Sequence, residues 1–212
     1  YVYMDHSPYE ILKNDILSFS EIIRIKRVED ILEKYWNAHR MDNTVEYLIE
    51  NEFETAFDFF QQFGDYWNEQ AWSKIGHQLE DLFLRLEQFL QSKQGVNYEV
   101  VKGLMIYDFF LNHKHKPRKT WWDFSLTKEQ QSKLFDFIVE NNRRVSGNFH
   151  ELQLSVKDLF KHTMIEVISF DLQHYLATKE ITKEPSLLIC YFDPKELISR
   201  PFILQEVNHV FN

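Results

Sequence analysis

Apolar residues recur at three- and four-residue steps through most of the first 140 residues, which is the pattern of amphipathic helices. The first helix is predicted to start after Ser18, because Ser18 and Glu21 have the spacing of a capping box. Its apolar stripe runs to about Trp36, and the opposite face is charged. This periodicity limits the first part of the chain to packed helices.

A second helix is predicted over residues 44–63, where Phe53, Phe57 and Phe60 repeat on one face and are expected in the core. Residues 64–67 then indicate a turn. The third predicted helix is the longest, and it directs the following apolar residues inward: Trp72, Ile75, Leu79, Leu82, Phe83, Leu86, Phe89 and Leu90.

A fourth helix should begin after Asn97, and its nearly continuous apolar run between Val100 and Leu111 predicts a buried helix. Thr127 and Gln130 repeat the capping-box spacing. They predict a fifth helix that extends to about Asn142.

The pattern changes after Gly147. Residues 163–172 and 186–192 are rich in β-branched and aromatic residues, which predicts two antiparallel strands preceded by a short helix at residues 156–161. The stretch from Phe202 onward could form a third strand or a short helix. The predicted fold is therefore mainly α with a small antiparallel β element (α+β).

We expect one domain over residues 1–212, with a helical part in residues 1–147 and a mixed part in residues 148–212 that ends in a hairpin. The sequence begins at Tyr1 in an apolar, strand-like run rather than at a methionine. This abrupt start predicts a C-terminal fragment of a longer protein.

Composition narrows the possible functions. The net charge is -9, with 33 acidic against 24 basic residues, which argues against a nucleic-acid-binding protein. Cys190 is the only cysteine, so an internal disulfide, an all-cysteine zinc site and a thiolate iron–sulfur cluster are excluded within this chain. We expect a cytoplasmic setting, since neither a signal peptide nor a membrane-spanning run is present. The five glycines form no phosphate-cradling array.

Positive charge is concentrated in one loop of this acidic chain. The loop carries His113, Lys114, His115, Lys116, Arg118 and Lys119. Pro117 cannot continue a helix, so these side chains should lie on a loop. They could bind an anionic substrate, a cofactor phosphate or carboxylate, or an acidic protein surface. The simpler alternative is a solvated turn.

Two tryptophans follow this loop. Trp121 and Trp122 could stack on a planar ligand or pack against a neighbouring domain, although burial of one ring with the other at an edge is the plainer expectation. His113 and His115 have no neighbouring carboxylate or cysteine pair that would complete a metal site. No metal ligand is therefore predicted here.

Three further groups of residues have the composition of a binding, acid–base or metal site. Asp65, Tyr66 and Trp67, in the predicted turn, could line a pocket or simply anchor the turn. His77 with Glu80 and Asp81 could be an acid–base group or a helix-surface hydrogen bond. The Glu-x-x-His spacing of residues 206–209 occurs once, whereas di-iron bundles need it twice. No catalytic residue is predicted.

Three stretches carry a resemblance to a known family. They are residues 24–37 (RIKRVEDILEKYWN), 63–67 (FGDYW) and, most specifically, 113–122 (HKHKPRKTWW). The chain resembles the C-terminal domain of unknown function that follows the barrel in cobalamin-binding radical-SAM proteins. Those proteins are often labelled as similar to the oxygen-independent magnesium-protoporphyrin IX monomethyl ester oxidative cyclase. The resemblance spans essentially the whole chain.

The resemblance implies a parent enzyme with a cobalamin-binding domain and a barrel. Three cysteines of the barrel, spaced Cys-x-x-x-Cys-x-x-Cys, would hold a [4Fe-4S] cluster that cleaves S-adenosylmethionine. Because this chain contains Cys190 alone, it departs from that pattern and should be inactive by itself. The implied role is an accessory domain that caps or buttresses the barrel and contacts substrate. Its partners would be the barrel and the cobalamin-binding domain of the same chain.

A second hypothesis belongs to a different class. The chain could be a non-catalytic helical module that binds an acidic partner through the basic loop and its tryptophans. A coding sequence that continues upstream into the three-cysteine motif would favour the accessory domain. A start codon just before Tyr1 would favour the free-standing module.

Overall fold

The computed structural model describes residues Val2–Tyr3, Ile11–Lys13 and 15–205. The chain forms two compact units, Tyr1–Asn97 and Tyr98–Asn212. The change of sequence pattern at Gly147 falls inside the second unit. The second unit therefore contains helices from the predicted helical part, residues 1–147, together with the strands of the predicted mixed part, residues 148–212.

The first unit contains two short antiparallel strands followed by helices. The strands are β1 (Val2–Tyr3) and β2 (Ile11–Lys13), and the α-helices are α1 (Phe19–Leu32), α2 (Asp42–Tyr47), α3 (Ala56–Glu69) and α4 (Leu79–Gln91). Helices α1 and α2 each continue into one π-helical segment, Glu33–Asn37 and Leu48–Glu52, and Trp72–Lys74 forms a 3-10 turn.

Helix α1 starts where the sequence predicts. Ser18 Oγ accepts a hydrogen bond from the Glu21 backbone N–H at 3.4 Å, and Glu21 Oε2 accepts one from the Ser18 N–H at 2.8 Å. These two bonds satisfy backbone donors that the first turn of a helix leaves unpaired. The capping box is confirmed.

The predicted second helix is not continuous. It is divided into α2, its π-helical extension and α3, with extended backbone at Phe53 between them. Thr55 caps α3 by accepting a hydrogen bond from the Asp58 N–H at 3.1 Å. The core assignment of Phe57 is wrong, because this side chain is 54% exposed.

Two predicted boundaries also need correction. Residues 64–67 lie inside α3, so the predicted turn is wrong. The third predicted helix begins at Leu79, where Gln78 and Asp81 form the capping box, rather than near Trp72. Ile75, which was expected to face inward, is 53% exposed.

Aromatic rings fill the core of the first unit. Phe63 stacks on Phe89 with 4.6 Å between ring centroids, and Tyr35 lies 4.9 Å from Phe63. The hydroxyl of Tyr35 donates to the Leu82 carbonyl oxygen at 2.9 Å, which provides the buried O–H with a partner. Burial raises the pKa of Tyr35 well above its usual range.

The second unit combines helices with a three-stranded sheet. Its helices are α5 (Tyr98–Leu111), α6 (Lys128–Glu140), α7 (Val156–His162) and α8 (Leu172–Thr178). Its strands β3 (Thr163–Ile168), β4 (Ser186–Asp193) and β5 (Ile198–Leu204) are antiparallel in the order β3-β4-β5. Together with two short 3-10 segments, Asn142–Arg144 and Phe149–Leu152, these elements account for the regular structure of residues 98–205.

The sequence left open whether the stretch from Phe202 onward forms a strand or a helix. Residues 202–204 belong to the third strand, and residues 206–212 lie outside the described residues. Strand β3 is shorter than predicted and ends at Ile168, since Asp171 caps α8 by accepting from the His174 N–H at 2.9 Å. The capping box at Thr127 and the buried helix α5 are both confirmed. The fold class, mainly helical with a C-terminal antiparallel element, is as predicted.

Apolar residues of α6, α7 and all three strands share one core in the second unit. Among the described residues, no helix combines the length and the apolar character that crossing a bilayer requires.

Candidate functional site

The basic loop lies between α5 and α6. His113 follows the last residue of α5 and packs against the end of this helix. Its Nδ1 is hydrogen-bonded to the Phe109 carbonyl oxygen at 2.7 Å, and its ring lies 4.1 Å from the Phe109 ring. This bond satisfies one of the carbonyl groups that a helix C-terminus leaves open. His113 is thus a structural residue of the helix end.

Lys116 anchors the loop. Its ammonium donates to the Phe160 carbonyl oxygen of α7 at 2.8 Å, and partial burial lowers the pKa of Lys116. The four other predicted residues of the loop, Lys114, His115, Arg118 and Lys119, are exposed. Within the described chain, no three His, Cys, Asp or Glu side chains are grouped so that they could hold a metal ion.

The two tryptophans divide as expected, with one ring inside and one at an edge. Trp122 is buried, and its ring meets those of Phe109 at 5.2 Å and Phe110 at 5.8 Å. Trp121 is half-buried and packs edge-on against Trp122 at 5.1 Å. Trp122 therefore fixes the path of the chain that follows the basic loop.

Asp65, Tyr66 and Trp67 all belong to α3 in the first unit rather than to a turn. Asp65 forms an ion pair with Arg27 at 2.8 Å. Tyr66 donates to the Gln88 carbonyl oxygen at 3.4 Å, and Trp67 is buried in the aromatic core. These residues stabilise helix packing.

The histidine of the predicted acid–base group is also structural. His77 Nε2 is hydrogen-bonded to the Trp72 carbonyl oxygen at 2.9 Å, and its ring packs on Trp67 at 4.6 Å. Asp81 accepts from the Gln78 N–H at 2.9 Å and caps α4. The Glu-x-x-His stretch, residues 206–209, lies outside the described residues.

A cavity that was not predicted opens beside Trp122 in the second unit. Its volume is about 160 Å³, and it is bounded by α5, by the segment of residues 122–125 and by β3. The polar and aromatic residues in its wall are Glu99, Lys102, Trp122, Asp123, Ser125, Glu166 and Ser169. We call it the Glu166 cavity.

Glu166 is the most unusual group in this wall because it is a carboxylate with only 1% of its surface exposed. Its Oε2 accepts from Ser125 Oγ at 2.6 Å and from the Ser125 N–H at 3.3 Å. Its Oε1 is buried without a hydrogen-bond partner in the described chain. The Trp122 indole N–H lies near the carboxylate but outside hydrogen-bond geometry.

The pKa of Glu166 is raised, because burial removes water from the carboxylate and disfavours its charged form. The hydrogen bonds of Ser125, the indole of Trp122 and the positive charge of Lys102 act in the opposite direction, but burial is the larger effect. Perturbed carboxylates in clefts are frequent at functional sites, so this residue defines the candidate site.

Local structure explains how the cavity forms. Strand β3 lies at an edge of the sheet, and the Val167 N–H donates to Ser125 Oγ at 3.4 Å, so the segment before α6 runs along this edge. Helix α5 approaches from the other side at Gly103. A Cβ atom at Gly103 would stand 2.8 Å from the Phe170 ring and 3.0 Å from Ile168, a distance that only glycine tolerates.

The sequence contains one signal for this site. Glu166 is the only charged residue in the apolar strand of residues 163–168. A lone carboxylate in a strand that is otherwise buried on both faces indicates a specific partner or a site.

Residues 1–190 match the sequence profile of a family described as protein of unknown function (DUF4080). The chain belongs to the DUF4080 family. The match includes every residue that bounds the Glu166 cavity and all three stretches of the resemblance described above. Comparisons of this DUF4080 chain with curated proteins and with solved structures give no match.

Proposed function

We propose that this DUF4080 chain is an accessory domain of a cobalamin-dependent radical-SAM enzyme. It would cap or buttress the catalytic barrel and contact the substrate. Two findings support this proposal: the resemblance carried by residues 24–37, 63–67 and 113–122, and membership of a family whose match covers all three stretches.

The residues of this chain do not fit an iron–sulfur cluster. Cys190, the only cysteine, is fully buried in β4, and burial raises the pKa of its thiol. Cluster ligands are thiolates, and three are needed. In this proposal the [4Fe-4S] cluster, S-adenosylmethionine and cobalamin are therefore held by other domains of the parent protein.

The observation that supports substrate contact is the position of Trp122. The most specific stretch of the resemblance ends at Trp122, and Trp122 is part of the wall of the Glu166 cavity. The same segment continues to Ser125, which holds one oxygen of Glu166. The most specific stretch of the resemblance therefore ends in the wall of the cavity that contains the buried Glu166 carboxylate and its unpartnered Oε1 atom.

The chemistry of this site is binding rather than reaction. Glu166 Oε1 offers one acceptor, and Lys102 and the Trp122 indole offer donors. These groups can orient a polar part of a substrate beside an apolar wall, which is how binding sites achieve specificity.

The test is to purify the complete gene product without oxygen and to measure iron, cobalamin and release of 5′-deoxyadenosine from S-adenosylmethionine. We expect iron and cobalamin in both the complete protein and a version that lacks residues 1–212. A cell extract that supplies substrate should accelerate 5′-deoxyadenosine release by the complete protein. It should not accelerate release by the version that lacks residues 1–212. A gene product without the three-cysteine motif, or without iron and cobalamin, would refute the proposal.

The second candidate function is a non-catalytic module that binds an acidic partner. It is favoured by the exposure of Lys114, His115, Arg118 and Lys119 in a chain of net charge -9. In that case, the wild-type chain should bind poly-glutamate in a salt-sensitive manner, and charge reversal at Lys114, Arg118 and Lys119 should abolish binding. The complete gene product would then contain no iron or cobalamin.

A further inference from the structure

A groove between α1 and α3 in the first unit has an unusual lining. Its volume is about 220 Å³, and its wall consists of Leu17, Glu21, Arg24, Ile25, Phe57 and Gln61. We call it the Gln61 groove. It shares no residue with the Glu166 cavity.

Gln61 is the polar group of this groove. Its side chain is buried, with 6% of the residue exposed, and neither Oε1 nor Nε2 has a hydrogen-bond partner in the described chain. An unpaired buried amide costs free energy, because both its carbonyl and its NH₂ group lose their bonds to water. A ligand that supplies one donor and one acceptor would satisfy both atoms.

The walls of the groove are apolar and partly open to solvent. Ile25 is 47% exposed and Phe57 is 54% exposed. Two further large apolar residues, Ile16 and Phe19, are exposed at the start of α1. Clusters of exposed apolar side chains on a soluble domain typically mark a surface that contacts another molecule.

Charge at the groove does not favour an ion. The Glu21 carboxylate is already used by the helix cap, where Oε2 accepts from the Ser18 N–H at 2.8 Å and from Ser18 Oγ at 2.6 Å. These hydrogen bonds from Ser18 are the main reason why the pKa of Glu21 is lowered, and the positive charge of the exposed Arg24 makes a smaller contribution. The negative charge of the Glu21 carboxylate and the positive charge of the Arg24 guanidinium cancel. The specificity of the groove for a ligand therefore comes from the neutral Gln61 amide and the apolar side chains of Ile25 and Phe57.

We propose that the Gln61 groove binds an extended peptide segment of a partner protein. In an extended peptide, the N–H and C=O of one residue point to the same side, so both can bond to the Gln61 amide. Gln61 Oε1 accepts from that N–H, and Nε2 donates to that C=O. An apolar side chain of the peptide then lies against Ile25 and Phe57. This inference does not rest on the radical-SAM proposal.

The first test uses two small probes with the wild-type chain. One is N-acetyl-leucine N-methylamide, and the other is its analogue in which an ester oxygen replaces the leucine N–H. Nuclear magnetic resonance titration follows the side-chain NH₂ signal of Gln61. We expect both probes to shift this signal, with the ester about threefold to tenfold weaker because it lacks the donor for Oε1.

Variants then separate the peptide-group contact from apolar contact. Gln61→Leu keeps a similar side-chain volume, and removal of two unpartnered polar atoms should leave the domain folded. Because this variant lacks the Gln61 NH₂ group, its titrations and those of all the other proteins are also followed through the methyl signals of Ile25, which lines the same groove. It should bind the amide and ester probes equally. Gln62→Leu is the matched control, since the exposed Gln62 instead accepts from Lys93 at 2.9 Å, and it should retain the wild-type ratio. Phe57→Ala, at an exposed position, should weaken both probes severalfold.

Two outcomes would overturn the proposal. If neither probe shifts the Gln61 signal, the groove holds only water. If Gln61→Leu retains the wild-type preference for the amide probe, the Gln61 amide does not recognise the peptide group.

Discussion

Gly64 of α3 lies directly against the main chain of Arg27 in α1: a Cβ atom at Gly64 would stand 2.9 Å from the Arg27 carbonyl oxygen. The ion pair between Arg27 and Asp65 forms beside this contact, at 2.8 Å. The glycine is therefore required by the distance between two helices and not by a turn.

Gly64→Ala should destabilise the first unit although alanine is the better helix former. The higher helix propensity of alanine is worth about 1 kcal/mol, whereas overpacking against a main-chain atom that cannot move aside costs about 1–3 kcal/mol. We expect a net loss of up to about 2 kcal/mol in the free energy of unfolding, measured with urea. Gly76→Ala is the control, since no atom lies within 4 Å of its added Cβ. A Gly64→Ala variant that is more stable than the wild type would contradict the close packing of α1 and α3.

Glu166→Gln should change how stability depends on pH. Burial places the pKa of folded Glu166 above its usual value of 4.5, so the folded state holds more protons than the unfolded state between these two pKa values. The free energy of unfolding of the wild type therefore falls as pH rises through this window. The change amounts to about 1.4 kcal/mol for each unit that separates the folded from the unfolded pKa.

Glutamine does not titrate, so the stability of the variant relative to wild type should increase from pH 4 to pH 8. The variant also alters the hydrogen bond to Ser125, but the free-energy cost of this change is nearly constant with pH. It therefore does not affect how the stability difference between the two proteins changes with pH. The measurement is a series of urea titrations. Glu129→Gln, at an exposed ion pair on α6, should stay within about 0.5 kcal/mol of wild type throughout. A flat difference for Glu166→Gln would show that burial does not perturb this carboxyl.

Lys116→Met should loosen the basic loop. The substitution removes the hydrogen bond from the Lys116 ammonium to the Phe160 carbonyl oxygen. Such a hydrogen bond contributes about 0.5–1.5 kcal/mol, so its loss should make the population of molecules with an open loop about twofold to tenfold larger. Limited trypsin digestion should cut after Arg118 and Lys119 faster by this factor, with fragments measured by mass spectrometry. Lys128→Met, outside the loop, should leave these rates unchanged. Unaltered cleavage in Lys116→Met would mean that the bond does not hold the loop.

Cys190 should not react with thiol reagents while the domain is folded. The side chain is fully buried in the middle strand of the sheet, and burial raises its pKa, so both access and thiolate formation are suppressed. We expect labelling on the order of a thousandfold slower in buffer than in denaturant. Because the chain has one cysteine, the signal is unambiguous. Rapid labelling under native conditions would show that β4 is accessible.

Structural features that depend on neighbouring residues in the sequence were predicted correctly. The caps at Ser18 and Thr127 depend on residues three positions away, and the buried character of α5 follows from its own composition. The strand chemistry of residues 186–192 also lies within one segment. Each of these features was predicted with nearly the correct boundary.

The predictions are wrong where the structure depends on residues that are far apart in the sequence. Gly64 was expected in a turn, but the close approach of the Arg27 main chain is the reason for a glycine at this position of α3. Phe57 continues the spacing of Phe53 and Phe60, but the break before Ala56 turns it towards solvent. Glu166 was missed because its partner Ser125 is 41 residues away, so neither residue by itself indicates a cavity.

The two π-helical segments, Glu33–Asn37 and Leu48–Glu52, imply where the family can change its length. A π-helical turn holds one residue more than the α-helical path needs, so a single deletion there would return the helix to regular geometry. The same deletion early in α3 would rotate all later side chains by about 100° and carry Phe59, Phe63 and Trp67 out of the core. One-residue gaps among family members should therefore collect at these two segments and be absent from α3.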